Sequence, residues 1–148
     1  MYRPGEHDRG RGYLSAVSRE NVDVVRRSIE AGNAGQLDSA MSALAADAEW
    51  RVAEEHPESR ICRGREEIRT YLEEWRHQLN DMRFVPVELF ERGGHVVASG
   101  HIRGTGAGSS VEVEVPLAIV YTLRDGKIVR GEEYLEPSRA LDAVGITG

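Results

Sequence analysis

The hydrophobic period of this 148-residue chain changes from 3.6 to 2 near its midpoint, and that switch constrains the fold more than any other feature. Before it, apolar residues recur at helical spacing. Val22, Val25 and Ile29 follow Ser18, an N-cap residue with Glu20 and Asp23 in the first turn, and Gly32 supplies a stop. Leu37, Met41 and Leu44 mark a second helix from about Leu37 to Ala46. Ile68, Tyr71, Leu72, Trp75 and Leu79 mark a third, beginning just after Gly64. Between these two, Glu49-Trp50-Arg51-Val52 alternates as a short strand. After the switch come four alternating runs, Phe84 to Arg92, His95 to Arg103, Val111 to Leu123 and Lys127 to Leu135, separated by Gly93-Gly94, Gly104-Thr-Gly-Ala-Gly108 and Asp125-Gly126. They read as an antiparallel meander, with Pro86 and Pro116 at an edge or a bulge because neither can donate to a ladder. A last helical segment runs from Pro137 to Val144. Helices first and strands afterwards predict an α+β fold, the helices packed on one face of a curved sheet. Residues 1–17 mix Gly, Pro and alternating charge without periodicity and are expected to form a flexible tail, leaving residues 18–148 as one domain.

Charge and cysteine content exclude several classes of function. The net charge of −6 and the lack of any Lys/Arg run beyond Arg26-Arg27 argue against a nucleic-acid partner. No apolar run approaches the ~20 residues that cross a bilayer, so a soluble cytoplasmic protein without a membrane partner is expected. The lone Cys62 cannot form an intrachain disulfide. Of the five histidines, His95 and His101 share strand parity but lie ~20 Å apart at ~3.3 Å per residue, too far for one metal, so neither a metal nor another cofactor is expected. The run Gly104 to Gly108 precedes a strand, so it reads as a hairpin loop and not as a phosphate cradle.

The strings Asn33-Ala-Gly-Gln-Leu-Asp38, Ala45-Ala-Asp-Ala-Glu-Trp50, Gly64-Arg-Glu-Glu-Ile68 and Leu123-Arg-Asp-Gly-Lys-Ile-Val129 resemble the SnoaL-like branch of the NTF2-like (ketosteroid-isomerase-like) superfamily over residues 18–145. The resemblance implies a cone of three N-terminal helices on a curved, mainly antiparallel sheet that encloses an apolar pocket. It also implies a substrate or ligand among small hydrophobic molecules of polyketide, steroid or terpenoid type. The isomerase members use a tyrosine on the first helix, an aspartate base at the end of the first strand and a protonated aspartate on the third long strand. Here those positions fall on Ser28, Val52 and Ile119 (or Ala118 with a shift of one), and none keeps the donor or base of that mechanism. The Arg-x-Asp pair of limonene-type epoxide hydrolases has no counterpart near His101-Ile-Arg103. The polyketide cyclases of this type place an acid a few residues beyond Gly-Lys-Ile, where this chain has Glu132, Glu133 and Glu136.

Strand parity from the resemblance turns Val129, Gly131, Glu133 and Leu135 inward, which makes Glu133 the candidate catalytic acid or base: a carboxyl in an apolar pocket is pushed by desolvation toward neutral pH. The alternative is that Glu133 is held by a buried Arg, Ser or Tyr hydroxyl and only fixes the strand. Trp50, Val52, Tyr71, Trp75, Ile119 and Tyr121 are the candidate walls of the pocket, with plain core packing as the alternative for each. Ser28 either donates to a ligand oxygen or bonds back to the backbone of its own helix. Three functions remain open: a cofactor-independent isomerase, cyclase or hydrolase, a non-catalytic binding protein, and a protein-interaction module. A sheet covered on one face only also predicts a homodimer through the other.

Overall fold

The computed structural model describes residues 4–145, with side chains from Arg19 onward apart from Val87. The elements follow the predicted order: α1 (Pro4–Asn33), α2 (Leu37–Ser42), β1 (Leu44–Arg51), β2 (Ile61–Arg63), α3 (Gly64–Gln78), β3 (Leu79–Arg92), β4 (His95–Gly106), β5 (Glu112–Arg124), β6 (Lys127–Tyr134) and α4 (Pro137–Ala143). Six strands form one sheet in the order β2-β1-β6-β5-β4-β3. All neighbours are antiparallel except β1 and β6, which run parallel. This is the expected α+β architecture.

Several boundaries differ from the sequence reading; Leu79, expected on the third helix, opens β3 ahead of the strand start expected at Phe84, because it pairs with Gly106 of β4. α1 starts at Pro4 and not at Ser18, so the segment read as a tail is helical from Pro4 on, and Met1 to Arg3 lie outside the described residues. A Ser is needed as a cap only where amide groups lack carbonyls four residues back, and an upstream helix supplies those carbonyls. α2 stops at Ser42 and β1 begins at Leu44, five residues before the strand expected at Glu49. Leu44 and Ala48 are among the most buried residues of the chain, so pairing with β6 and burial override the helix propensity of Ala45-Ala46. β2 is three residues long, too short to show a period, and pairs Cys62 with Trp50.

Curvature comes from β3. The β3–β4 register shifts between Pro86 and Glu88, beside the pair of Pro86 with Gly100. A Cβ on Gly100 would lie 2.0 Å from the Val85 carbonyl oxygen, so only glycine lets the strands cross this closely. Pro86 thus sits at a bulge in an edge strand. Pro116 lies where β5 has β4 on one side and has run past its pairing with β6, which starts at Ala118. Neither proline is paired with a strand on both sides.

The concave face holds the main core. Val25 of α1, Met41 of α2, Ile68 and Tyr71 of α3, and Trp50, Phe84, Ala98, Ile119 and Ile128 of the strands pack as one cluster. On the convex face α4 covers part of the sheet, burying Ala140 against Val97, Ala118 and Val120, with Phe90, Tyr134 and Val144 around them. The convex face is therefore not bare: beside α4 it presents His101, Arg103 and Glu114, with Arg103 and Glu114 paired at 3.0 Å. No helix among the described residues is long and apolar enough to cross a membrane.

Candidate functional site

Glu133 holds the centre of the concave face. It pairs with Ile119 across β5 and is two residues from Gly131, which pairs with Trp50 across the parallel β1–β6 ladder. Gly131 and Glu133 therefore face inward as expected, on the face of Trp50, Ile119 and Tyr121, but Val129 does not follow: a register shift at the start of β6 puts Ile128, fully buried, into the core in its place. A Cβ on Gly131 would come within 2.3 Å of the Trp50 ring carbons Cε3 and Cζ3, so the indole lies flat over this glycine. That placement brings the indole nitrogen to Glu133 Oε2 at 2.8 Å.

Three donors hold both oxygens of the carboxylate. The Tyr71 hydroxyl lies 2.8 Å from Oε1 and 2.9 Å from Oε2, and the Ala53 amide donates to Oε1 at 3.4 Å. Three donors from β1, α3 and the loop after β1 therefore converge on one acid of β6. Burial pushes the Glu133 carboxyl above the usual carboxylate range; the hydrogen bonds from Trp50, Tyr71 and Ala53 and the charge of Arg60 pull it back without cancelling that effect. Burial, followed by the neighbouring Glu133 charge, raises both Tyr71 and Tyr121, which keeps each phenol protonated. The Arg60 guanidinium sits 5.2 Å above the Tyr71 ring and is tied to Glu74 at 2.8 Å.

Next to this anchor, between the helices and the sheet, lies an apolar cavity of about 100 Å³. Ser28 and Ile29 of α1, Ala40 and Met41 of α2, Trp50 of β1, Leu72 and Arg76 of α3, Phe84 of β3, and Ile119 and Tyr121 of β5 line it. Of the predicted wall residues, Ser28, Trp50, Ile119 and Tyr121 meet there. Tyr71 stands behind the wall on Glu133. Trp75 packs edge-on against His56 at 5.6 Å, and Val52, 4% exposed, bonds through its amide to the Arg60 carbonyl. Glu133 itself lines a separate polar cleft of about 240 Å³ with Arg51, Ser59, Glu132 and Arg139. The Ser28 hydroxyl donates to the Ala40 carbonyl at 3.2 Å, linking α1 to α2.

The cavity shares Asn33, Arg76 and Met82 with an open cleft between α1 and the β3–β5 ends, and these residues form its mouth. Asn33 is clamped by a reciprocal pair of 2.8 Å bonds to the Phe84 backbone, and Arg76 donates to the Gly32 carbonyl at 3.1 Å. Neither the clamp nor the role of Gly131 was evident from the sequence, although a glycine inside a strand is a general sign of close approach. Among the described residues no three His, Cys, Asp or Glu side chains are placed to hold a metal ion. The cavity is smaller than the ~300–1,000 Å³ typical of drug-sized ligands, so a polycyclic molecule does not fit it with the helices where they stand.

Solved structures with this architecture are numerous. A putative SnoaL-like polyketide cyclase from Jannaschia sp. CCS1 superposes with a TM-score of 0.70 at 18% identity, over 88% of this chain and 95% of that one. TerC, co-crystallised with polyporic acid, gives 0.70 at 22% identity over 84% and 97%. A ketosteroid-isomerase-like protein from Catenulispora acidiphila, in complex with trimethylamine, gives 0.67 at 20% identity over 84% and 93%. At such identities the likeness is one of fold. Among curated proteins none matches the chain. The model of the SnoaL-like domain matches residues 25–131, from the buried Val25 of α1 to the glycine beneath Trp50, and the chain therefore belongs to the SnoaL-like family of the NTF2-like fold.

Proposed function

We propose that this protein binds a small apolar molecule in the cavity between α1, α2, α3 and the sheet, without catalysing a reaction through Glu133. The observation that carries this reading is the state of the carboxylate: the Tyr71 hydroxyl, the Trp50 indole and the Ala53 amide occupy its oxygens, and it does not line the apolar cavity. A general base needs a free lone pair within hydrogen-bond reach of the proton it takes. Glu133 uses its lone pairs to hold two cavity-side aromatics in place instead. The volume supports a compact ligand of at most about six heavy atoms, since apolar cavities of ~150 Å³ accept benzene. Relatives of this fold reach small molecules of varied size, trimethylamine in one and polyporic acid in another.

Trp50 lies in the cavity wall and reports occupancy. In a Trp75→Phe background, titration with the hydrocarbon methylenecyclopentane is expected to change the indole fluorescence saturably, and Ala40→Phe, which fills the cavity, is expected to abolish the change. A linear, unsaturable response would overturn the reading.

The raised Glu133 carboxyl favours a second reading, acid–base catalysis in the polar cleft that Glu133 shares with Arg51, Ser59 and Arg139. Under that reading Glu133→Gln removes turnover of the substrate with little loss of stability. Under the binding reading the same change lowers stability and leaves methylenecyclopentane affinity within about twofold.

A further inference from the structure

Among the described residues that line the cavity, one polar side chain is not used by the fold itself. Trp50, Tyr71 and Ser28 each place their polar atom on a protein acceptor. Tyr121 is different. It comes from β5, is 3% exposed, and packs edge-on against Trp50 with 5.7 Å between ring centroids. Among the described residues its hydroxyl makes no hydrogen bond, yet no fully enclosed side-chain oxygen or nitrogen lacks a partner. Both statements hold only if the Tyr121 oxygen keeps some accessible surface. For so buried a residue, the recess that supplies this surface is the cavity it lines. A buried phenol is normally paired, because desolvating its O–H without an acceptor is costly. The apolar walls beside it, Ile119, Met41 and Leu72, offer no acceptor.

We infer that the ligand is a neutral molecule with a carbonyl oxygen on a compact apolar body, the oxygen accepting a hydrogen bond from the Tyr121 hydroxyl while the hydrocarbon part fills the space between Ile119 and the helices. This deepens the binding reading above and rests on it. Neutrality follows from the charges nearby. Glu133, on the same face and within electrostatic reach of Tyr121, disfavours a second anion there. Arg76, the one charged residue among those described in the lining, is tied to the Gly32 carbonyl at the mouth. The phenol stays protonated and is a donor of fixed role.

The test compares two near-isosteric probes, cyclopentanone and methylenecyclopentane, in the full chain and in Tyr121→Phe. In the parent chain the ketone is expected to bind about 3- to 10-fold more tightly than the alkene, the range a neutral hydrogen bond contributes. Tyr121→Phe should remove that advantage and leave the alkene affinity unchanged. The carbonyl stretch of bound cyclopentanone should also move to lower frequency in the parent chain than in the variant, which tests the bond without relying on affinity. Equal affinities for the two probes in the parent chain, an equal loss of both in the variant, or tighter binding of cyclobutanecarboxylate than of the ketone would each overturn the inference while leaving the cavity a binding site. Failure of the alkene itself to bind would instead remove the binding reading and this inference with it.

Discussion

Removing the Glu133 carboxylate tests whether it anchors the site. Glu133→Ala leaves the Trp50 N–H and the Tyr71 O–H, both now bonded at 2.8 Å, without their acceptor. Each orphaned donor costs ~1–3 kcal/mol, so a total of ~2–6 kcal/mol is expected. Glu133→Gln is milder. Its amide oxygen can take the place of Oε2 and keep Trp50 and Tyr71, while its NH2 faces the Ala53 amide, whose contact is already long at 3.4 Å. Loss of that bond and of charge assistance on the other two, set against relief of a buried charge, leaves about 1 kcal/mol. For a chain of this size these figures correspond to Tm decreases of roughly 10 °C and 3 °C. Guanidinium unfolding followed by Trp fluorescence measures both, and its pH dependence adds a separate check. Because burial raises the folded carboxyl, the folded chain holds a proton that the unfolded chain has released between the ordinary glutamate value of about 4.3 and Glu133's own higher value. This contribution to stability is present below that window and is lost as pH rises through it; in Glu133→Gln it should vanish. An alanine variant within about 1 kcal/mol of the parent chain would refute the anchor.

Gly131→Ala places a methyl group 2.3 Å from the Trp50 ring, so the indole must move; we expect a loss of ~2–4 kcal/mol and of methylenecyclopentane binding together, and a variant that keeps both would mean the ring has room to shift. Cys62 is 2% exposed and burial raises its thiol, so it should react with a disulfide reagent only at the rate of unfolding; stoichiometric labelling of the native chain would contradict its burial. Pairing of two chains through the convex face has to use the charged strip of His101, Arg103 and Glu114 that α4 leaves open. Such a homodimer should show twice the chain mass by light scattering at low salt and dissociate as salt rises, whereas a monomer at every ionic strength would remove the dimer.

The fold was legible in the sequence because its signals are periodic and local. The change of period separates helices from meander, and Gly-Gly and Asp-Gly turns fix strand ends, but the register shift between Ile128 and Arg130 breaks the alternation counted from Lys127, which is why Ile128 and not Val129 joins Gly131 and Glu133 on the core face. The parts that were missed depend on partners distant in sequence. β1 begins at Leu44 because Leu44 pairs with Ile128, a contact that no window around Ala45-Ala46 contains. The long α1 ignores the good cap at Ser18 because a cap residue shows where a helix can start, not whether it has started already.

The site divides along the same line. The resemblance gives the inward direction of Glu133, but whether an inward acid is free or bound depends on Trp50, Tyr71 and Ala53, which stand 83, 62 and 80 residues away in the chain. Three donors converging on one carboxylate require Gly131 to admit the indole, α3 to bring Tyr71 over β6, and the chain to turn at Ala53 after β1. Each condition is satisfied by a different element, so the acid is the point at which α3, β1 and β6 are tied together. That tie gives a physical reason for a cavity on one side of it: the carboxylate fixes Trp50 and Tyr71 within the packed cluster, so the neighbouring walls need not collapse to fill the space in front of Tyr121.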